Sequence, residues 1–265
     1  MVWGVMGLKK SSALSELVTI PRDRLSLAPS PTDRLSIEEI ASLPSAGACA
    51  MQVMEPICRD LPRGSKILIL SAHRSIGYLC LQLASHLRPQ RDLYLVAHCP
   101  STMEADAQLC RDAGASSVLV EEPLAVLNGC HESEFDVVID CVGGRRIYDA
   151  SRRVLHHSGA FISTVSPLVV PSSSTTAPES SWKSSLRSLR RTFVKKDRKL
   201  LSVLSITSET IETRGESPRE VLERVREAVE KGELRARIDK VWRFEDSARA
   251  FAEGEGESVV RVLEV

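Results

Sequence analysis

The sequence predicts an α/β protein built on a doubly wound parallel sheet, and three observations support this prediction. Short apolar runs alternate along the chain with segments whose apolar residues recur at helical spacing. A buried strand at residues 67–70, a tight turn at 71–75 and an amphipathic helix follow one another directly. A second apolar run, 135–140, also ends in turn residues, Gly143 and Gly144. Strands alternating with helices form a parallel sheet covered on both faces, with any ligand at the carboxyl ends of the strands.

The composition is that of an ordinary globular protein, with 43% hydrophobic and 26% charged residues in a chain of 265. The net charge is zero, so nothing global points to nucleic acid or an anionic membrane. No apolar run approaches the length of a membrane span. The charges of the first ten residues follow the apolar ones, which is the wrong order for a secretory signal. We therefore expect a cytoplasmic protein.

The seven cysteines fit the same expectation. Their number is odd and no pair has the C-x-x-C spacing of structural zinc sites. We interpret them as reduced, buried or half-buried thiols.

The chain before the central strand predicts short elements. Residues 2–6 form one apolar run, and a loosely alternating segment ends at Pro21. Ser36 and Glu39 form a capping box, which predicts a short helix stopping near Pro44. A second helix is expected at residues 47–60.

The remaining elements follow from spacing and stop signals. Gly114 and Gly159 end helices, Pro89 breaks the helix after the turn, and Ser217 opens a second capping box. The predicted strands are 93–97, 117–120, 135–140, 160–165, 200–206, 238–244 and 259–265, and the predicted helices are 103–113, 145–157, 217–231 and 245–253.

A Ser/Thr/Pro-rich stretch, 171–185, predicts a mobile loop, and a basic segment, 183–199, follows it. Apolar residues along one helical side of the basic segment leave two interpretations open. The segment binds an anionic partner or membrane surface, or it is a solvated helix packed on the body.

The turn at 71–75 decides how the central unit is interpreted. A phosphate-binding turn uses glycines for bending, for close phosphate approach and for helix–strand packing. Here Gly77 alone is glycine, while Ser71 and Arg74 stand at the first two places. The turn is either a nucleotide site with altered chemistry or a βαβ unit that keeps its shape and binds nothing.

Six separated stretches together resemble the medium-chain dehydrogenase/reductase superfamily, on its zinc-free quinone oxidoreductase-like side. They are residues 40–50, 64–84, 113–118, 135–144, 159–163 and 240–251. The resemblance implies a Rossmann nucleotide-binding domain at 45–235 and a partial GroES-like β lobe. That lobe would comprise residues 1–44 and a return segment at 236–265, so the chain is expected to begin inside it.

The resemblance also implies a set of cofactor-binding residues. The turn residues would hold the diphosphate, with Arg74 either bonding to it or obstructing it. Cys49 takes a place usually held by Thr near the nicotinamide, and residues after two later strands would border the cofactor. The full set is Cys49, Ser71, Ala72, Arg74, Ser75, Ile76, Gly77, His98, Ser101, Val142, Gly143, Phe161, Ile162 and Ser163.

Cofactor choice should be set just past the second strand of the unit. A carboxylate there would bond the ribose 2′-hydroxyl of NAD, but this chain has His98, Cys99, Pro100 and Ser101. This favours NADP, with NAD possible, and places His98 or Ser101 near a 2′-phosphate. An ordinary, half-exposed His98 is the alternative.

Two functions remain open at this point. The first is an NADPH-dependent reductase of quinones or α,β-unsaturated carbonyls that transfers hydride without zinc. We assign it no catalytic residue. The second is an inactive Rossmann relative that serves as a protein-binding scaffold. A homodimer or another protein partner is possible, and nucleic acid is not expected.

Overall fold

The computed structural model describes residues 1–5, 17–100, 104–165, 202–205, 217–253 and 258–262. The strands are β1 Val2–Gly4, β2 Leu25–Leu27, β3 Lys66–Leu70, β4 Tyr94–His98, β5 Ser117–Leu119, β6 Phe135–Asp140, β7 Leu155–Ser163, β8 Ser202–Ser205, β9 Lys240–Arg243 and β10 Ser258–Arg261. The helices are α1 Ile37–Asp60, α2 Ser75–Arg91, α3 Glu104–Asp112, α4 Pro123–Gly129, α5 Arg145–Val154, α6 Pro218–Glu230 and α7 Ser247–Glu253.

Six strands form one parallel sheet in the order β5-β4-β3-β6-β7-β8. The chain enters at the central strand β3, proceeds outward through β4 to β5, and returns to place β6 on the other side of β3. The strand order therefore reverses between β3 and β6, the position at which doubly wound sheets bind ligands. This confirms the predicted fold class.

The central strand shows why both faces of the sheet are covered. Ile67 and Ile69 belong to a core cluster that also contains buried residues of α1, α2 and α6. Leu68 and Leu70 point the other way, into a cluster with residues of α4 and α5. All four side chains are fully buried. An uninterrupted apolar run is what a strand covered on both sides requires.

The first predicted helix is longer than expected. The Ser36 capping box is present, with Glu39 N–H donating to Ser36 Oγ at 3.1 Å and Ser36 N–H to Glu39 Oε2 at 2.8 Å. The predicted stop at Pro44 is wrong, because a single helix of 24 residues runs on to Asp60. A proline inside a helix costs about 3 kcal/mol. Burial on both sides of it, at Leu43 and Val53 among others, offsets that cost.

Two other boundaries differ from the predicted ones. Helix α2 continues through Pro89 to Arg91. Helix α5 ends at Val154 rather than at residue 157, and β7 starts at once with Leu155. His156 and His157 therefore belong to a strand rather than to the end of the helix predicted at 145–157. Leu155 is fully buried and pairs with Phe135, so tertiary pairing overrides the local helical pattern.

Two small sheets complete the described elements. Strands β1 and β2 pair antiparallel, whereas β9 and β10 pair parallel. The second capping box is confirmed, since Glu220 N–H donates to Ser217 Oγ at 3.2 Å. The predictions at 6–16, 171–185 and 183–199 lie outside the described residues.

The predicted domain limits stay predictions, and the limit at residue 44 falls inside α1. None of the helices in the described ranges has the length and apolarity needed to cross a bilayer.

Candidate functional site

The carboxyl ends of β3, β4, β6 and β7 meet at one edge of the sheet, and the predicted site residues come from the turns that follow them. The turn after β3, residues 71–74, leads directly into α2. We call it the first corner. Residues 141–144 lead from β6 into α5 and form the second corner.

The first corner keeps a phosphate-turn backbone although two of its three glycine places are occupied by other residues. Ser71 has φ of +58° and Ser75 has φ of +35°, values that favour glycine. Holding one such residue costs roughly 1–2 kcal/mol. At Gly77 no side chain is possible without movement, because a Cβ atom would lie 2.6 Å from the Ser71 carbonyl oxygen. Gly77 therefore performs the close helix–strand packing expected of the third glycine.

His98 holds this turn in place. Its side chain is fully buried at the end of β4. The Ser71 N–H donates to His98 Nδ1 at 3.1 Å, so Nε2 carries the proton and donates to the Glu121 carbonyl at 2.9 Å. Burial lowers the pKa of His98, which keeps the ring neutral. Both ring nitrogens are in use, so this imidazole reaches a 2′-phosphate only if the two bonds break.

Arg74 folds back over its neighbour rather than across the turn. Its Nε donates to His73 Nε2 at 3.1 Å, and its side chain remains exposed. His73 is only 4% exposed, and its Nδ1 has no hydrogen-bond partner. Burial, followed by the charge of Arg74, lowers the pKa of His73 to about 4. His73 is therefore neutral at pH 7.

Helix α2 begins with unpaired donors. The N–H groups at Ser75, Ile76 and Gly77 lie in its first turn, where a helix offers no internal carbonyl partner. The first turn contains no acidic residue that would compete for them. Together with the helix dipole, these donors can bind a diphosphate.

The second corner is organised by Asp140, a buried residue at the end of β6. Its Oδ1 accepts the N–H groups of Val142 and Gly143, both at 2.9 Å. Its Oδ2 accepts from Ser163 Oγ at 3.5 Å. Desolvation raises the pKa of Asp140 even though these hydrogen bonds oppose the shift. Glycine is required in this corner, since Gly143 and Gly144 have φ of +85° and +99°.

The side chains of several other predicted site residues are buried and cannot contact a ligand directly. Phe161 is fully buried against Tyr148, with ring centroids 5.3 Å apart. Ile162 and Cys49 are core residues of the α1–α2 face. Only main-chain atoms of these positions could border a ligand without rearrangement. Val142 is 39% exposed and accessible. Ser101 lies outside the described residues.

An open depression of about 230 Å³ lies beside the start of α2. The lining residues are Ser42, Ala46, Ser75, Tyr78, Leu79, Ala236 and Arg237.

One group of described residues has the composition and spacing of a metal site. A ring nitrogen of His73, the Sγ of Cys99 and a carboxylate oxygen of Asp106 all lie within 4.8 Å of one another. Nitrogen, sulfur and oxygen donors of this kind suit zinc. Arg237 contacts the group, with Nη1 donating to Asp106 Oδ1 at 2.6 Å and to the His73 carbonyl at 3.4 Å.

Sequence reasoning missed three residues that shape these corners. Asp140 was placed only as the end of a strand, although an acid closing a buried apolar run is itself a signal. His73 stood unnoticed inside the turn. Arg237 gave no local signal, because it reaches the turn from 164 residues further along the chain.

Comparison with known proteins gives a family match. The family model described as zinc-binding dehydrogenase matches residues 113–260, more than half of the chain. A trans-enoyl reductase from Penicillium oxalicum is 27% identical over 241 residues. That alignment covers 87% of this chain and 58% of the relative. The chain thus spans less than two thirds of the length of this curated relative.

Solved structures share the fold. A quinone oxidoreductase from Pseudomonas syringae superposes with a TM-score of 0.67 at 18% identity, covering 98% of this chain and 74% of that one. A quinone oxidoreductase from Thermus thermophilus, described also in complex with NADPH, gives 0.63 at 20% identity, with 97% and 75% covered. At these identities the likeness establishes the fold alone.

Proposed function

Because this chain belongs to the zinc-binding dehydrogenase family, within the medium-chain dehydrogenase/reductase superfamily, we propose that it is an NAD(P)H-dependent oxidoreductase of the quinone and enone reductase type. The observation that carries the proposal is the first corner. It places a left-handed Ser71, the α2 donors and the tightly packed Gly77 at the point where the strand order reverses. That is the geometry with which doubly wound sheets hold a diphosphate.

NADPH is the proposed cofactor. No carboxylate follows β4 at His98–Pro100, so nothing there competes for a ribose 2′-hydroxyl or repels a 2′-phosphate. The carboxylate of Asp106 lies close to His73 of the turn after β3, and its charge is paired with Arg237. On the turn after β3, the exposed guanidinium of Arg74 supplies a positive charge for the diphosphate.

The proposed reaction is hydride transfer to a quinone or to a carbon–carbon double bond conjugated to a carbonyl. The nicotinamide supplies the hydride when bound, and the protein would contribute orientation. Val142 and Gly143 would border the nicotinamide through the second corner, which Asp140 holds rigid. We propose that this step needs no metal, because the zinc-type donors His73, Cys99 and Asp106 cluster at the first corner instead.

The inactive-scaffold alternative is not favoured, since the named relatives are reductases and dehydrogenases. A cytoplasmic location remains part of the proposal. None of the six cysteines with described side chains forms a disulfide, as expected for a reducing compartment.

Cofactor titration tests the proposal. NADPH at 100 times its Kd should stabilise the protein by about 2.7 kcal/mol, visible as a rise of several degrees in melting temperature. NADH should do so only at higher concentration. A folded protein whose melting temperature is unchanged by either cofactor at millimolar concentration would exclude the oxidoreductase assignment.

Arg74→Gly then separates the two roles left open for this side chain. If Arg74 bonds the diphosphate, as we propose, the variant binds NADPH about 10–150-fold more weakly, in line with one lost charge-assisted bond of about 1.5–3 kcal/mol. The loss should be similar for NADH, because both cofactors carry the diphosphate. Tighter binding of both cofactors would identify Arg74 as an obstruction instead.

A further inference from the structure

We propose that His73, Cys99 and Asp106, joined by Cys110, form a buried zinc site that fastens the first corner to α3. The site takes no part in the proposed hydride transfer, which is assigned to the second corner. Three positions supply its ligands: the turn after β3, the residue that follows β4, and two successive turns of α3.

The ligand atoms are already close. Zinc–nitrogen, zinc–sulfur and zinc–oxygen bonds of about 2.0–2.3 Å put tetrahedral ligand atoms roughly 3.3–3.8 Å apart. The three ligand atoms lie within 4.8 Å of one another here, so a contraction of at most about 1.0–1.5 Å per pair suffices. Side-chain rotations on a rigid framework can supply such a shift.

Cys110 would supply the fourth donor by a side-chain movement, because it lies beside Cys99 but outside the 4.8 Å group of His73, Cys99 and Asp106. Its thiol hydrogen-bonds with that of Cys99, and both cysteines are fully buried. Asp106 and Cys110 are four residues apart on α3 and therefore face the same side of the helix. One imidazole, two thiols and one carboxylate make a closed tetrahedral set, which is typical of a structural rather than a catalytic zinc.

The unpartnered nitrogen of His73 is the second observation that points to a ligand. A neutral imidazole has one donor and one acceptor nitrogen. Nε2 accepts from Arg74 Nε–H, which leaves the buried Nδ1 as the atom without a partner. A buried polar atom of this kind costs about 1–3 kcal/mol, and a bound ion would remove that cost.

Binding requires definite proton movements. Cys99 and Cys110 release their thiol protons to solvent as zinc–sulfur bonds form. His73 binds through Nδ1, so its proton moves to Nε2, and Arg74 Nε must leave that atom. The Asp106 carboxylate has two oxygens, so it can accept the hydrogen bond from Arg237 and bind the zinc ion at the same time. The hydrogen bond from Arg237 then fixes the orientation of the Asp106 carboxylate.

Arg237 and Arg74 lie close to the proposed site, and their positive charges would repel a zinc ion. The negative charges around the site offset this repulsion. Arg237 is paired with Asp106 at 2.6 Å and with Asp239 at 2.6 Å. Two thiolates and one carboxylate would contribute three negative charges around Zn²⁺. Arg74 is exposed and can turn into solvent.

Zinc binding by the full-length protein, without nucleotide, tests the proposal. After chelation and dialysis, the protein is titrated with Zn²⁺ by calorimetry and with Co²⁺ by absorption. We expect one equivalent, with a thiolate-to-cobalt charge-transfer band. Cys99→Ser and Asp106→Asn should weaken binding about 100-fold or more, and Arg237→Gln about 10–100-fold. Arg74→Ala should tighten it, because the competing bond to His73 is gone.

His131→Ala and Cys130→Ser are the matched controls, since both residues lie in the loop after α4, away from the three ligand positions. They should bind zinc like the unmodified protein. The proposal is overturned if the unmodified protein takes up no zinc, or if Cys99→Ser and Asp106→Asn remain folded by circular dichroism and bind zinc unchanged. Neither result bears on NADPH binding, so the two proposals fail separately.

Discussion

The two corners solve one structural problem with different residues. Each leads from a central strand into a helix at the carboxyl edge of the sheet. The second corner uses two glycines in the left-handed region and a buried carboxylate that accepts two main-chain N–H groups. The first corner uses serine in the left-handed region and a buried histidine that accepts one N–H group.

The difference shows that a turn can lose glycines and keep its path when a buried side chain fixes the main chain. The main chain of the second corner adopts its conformation without strain, since glycine adopts positive φ at little cost. The first corner has its strain offset by His98 from a neighbouring strand. We therefore expect the first corner to depend on distant residues and the second to depend on its own.

Replacing His98 should have the largest effect. His98→Leu keeps the volume but leaves the partly buried Ser71 N–H and Glu121 carbonyl without their side-chain partner. At about 1–3 kcal/mol for each group, the free energy of unfolding should fall by roughly 2–6 kcal/mol, as measured by urea denaturation. His131→Leu, at an exposed loop position, should change it by less than about 0.5 kcal/mol. Equal stability of the two variants would contradict the bracing role of His98.

Gly77→Ala tests the packing of the first corner. The new Cβ atom would meet the Ser71 carbonyl at 2.6 Å and the Ala72 Cα at 3.1 Å. We expect a loss of about 1–3 kcal/mol, together with weaker NADPH binding. Gly129→Ala, at a helix end where a Cβ atom meets nothing within 4 Å, is the control. It should be neutral or slightly stabilising in thermal unfolding, and an equal loss in both variants would refute the packing argument.

Asp140→Ala tests the second corner. The N–H groups of Val142 and Gly143 lose their acceptor, but Val142 is partly exposed and water can replace the carboxylate. We expect a loss of about 1–2 kcal/mol in thermal unfolding. Asp149→Ala, which removes an exposed ion pair with Arg145 on α5, should cost below about 0.5 kcal/mol. A loss above that of His98→Leu would reverse the proposed ranking of the corners.

The pH dependence of stability gives the most specific test. The pKa of His73 is lowered to about 4, so between pH 6.5 and 4 the unfolded chain binds a proton at this residue that the folded chain does not. Stability should therefore fall as the pH is lowered through this window. His73→Gln should show a shallower fall in the unfolding midpoint between pH 7 and 4.5. Parallel curves for the two proteins would show that His73 does not titrate in this way.

Much of the fold could be predicted from local pattern. Strand β6 was predicted with its observed limits, and both capping boxes formed because a Ser–x–x–Glu pair acts within one helical turn. The resemblance to the medium-chain dehydrogenase/reductase superfamily is confirmed. The continuation of α1 through Pro44 could not be predicted, because it depends on burial against elements distant in sequence.

The site was less accessible to sequence reasoning. Gly77 was correctly singled out for close packing, since that requirement is local. The inward direction of His98 depends on the carbonyl of Glu121, and the contact of Arg237 with the turn depends on the path of the chain after α6. The cofactor contacts of the predicted residues stay predictions.

The uninterrupted run of α1 limits how the protein can flex. With 24 residues it is a rod of about 36 Å. Its far end packs with the sheet core through Val53 and Ile57, while Glu38 near its start pairs with Arg261 of β10. Any opening motion between the chain ends and the sheet must therefore pivot outside this rod, before Ser36 or in the stretch that joins α6 to β9, and substitutions at Pro44 cannot loosen such a hinge.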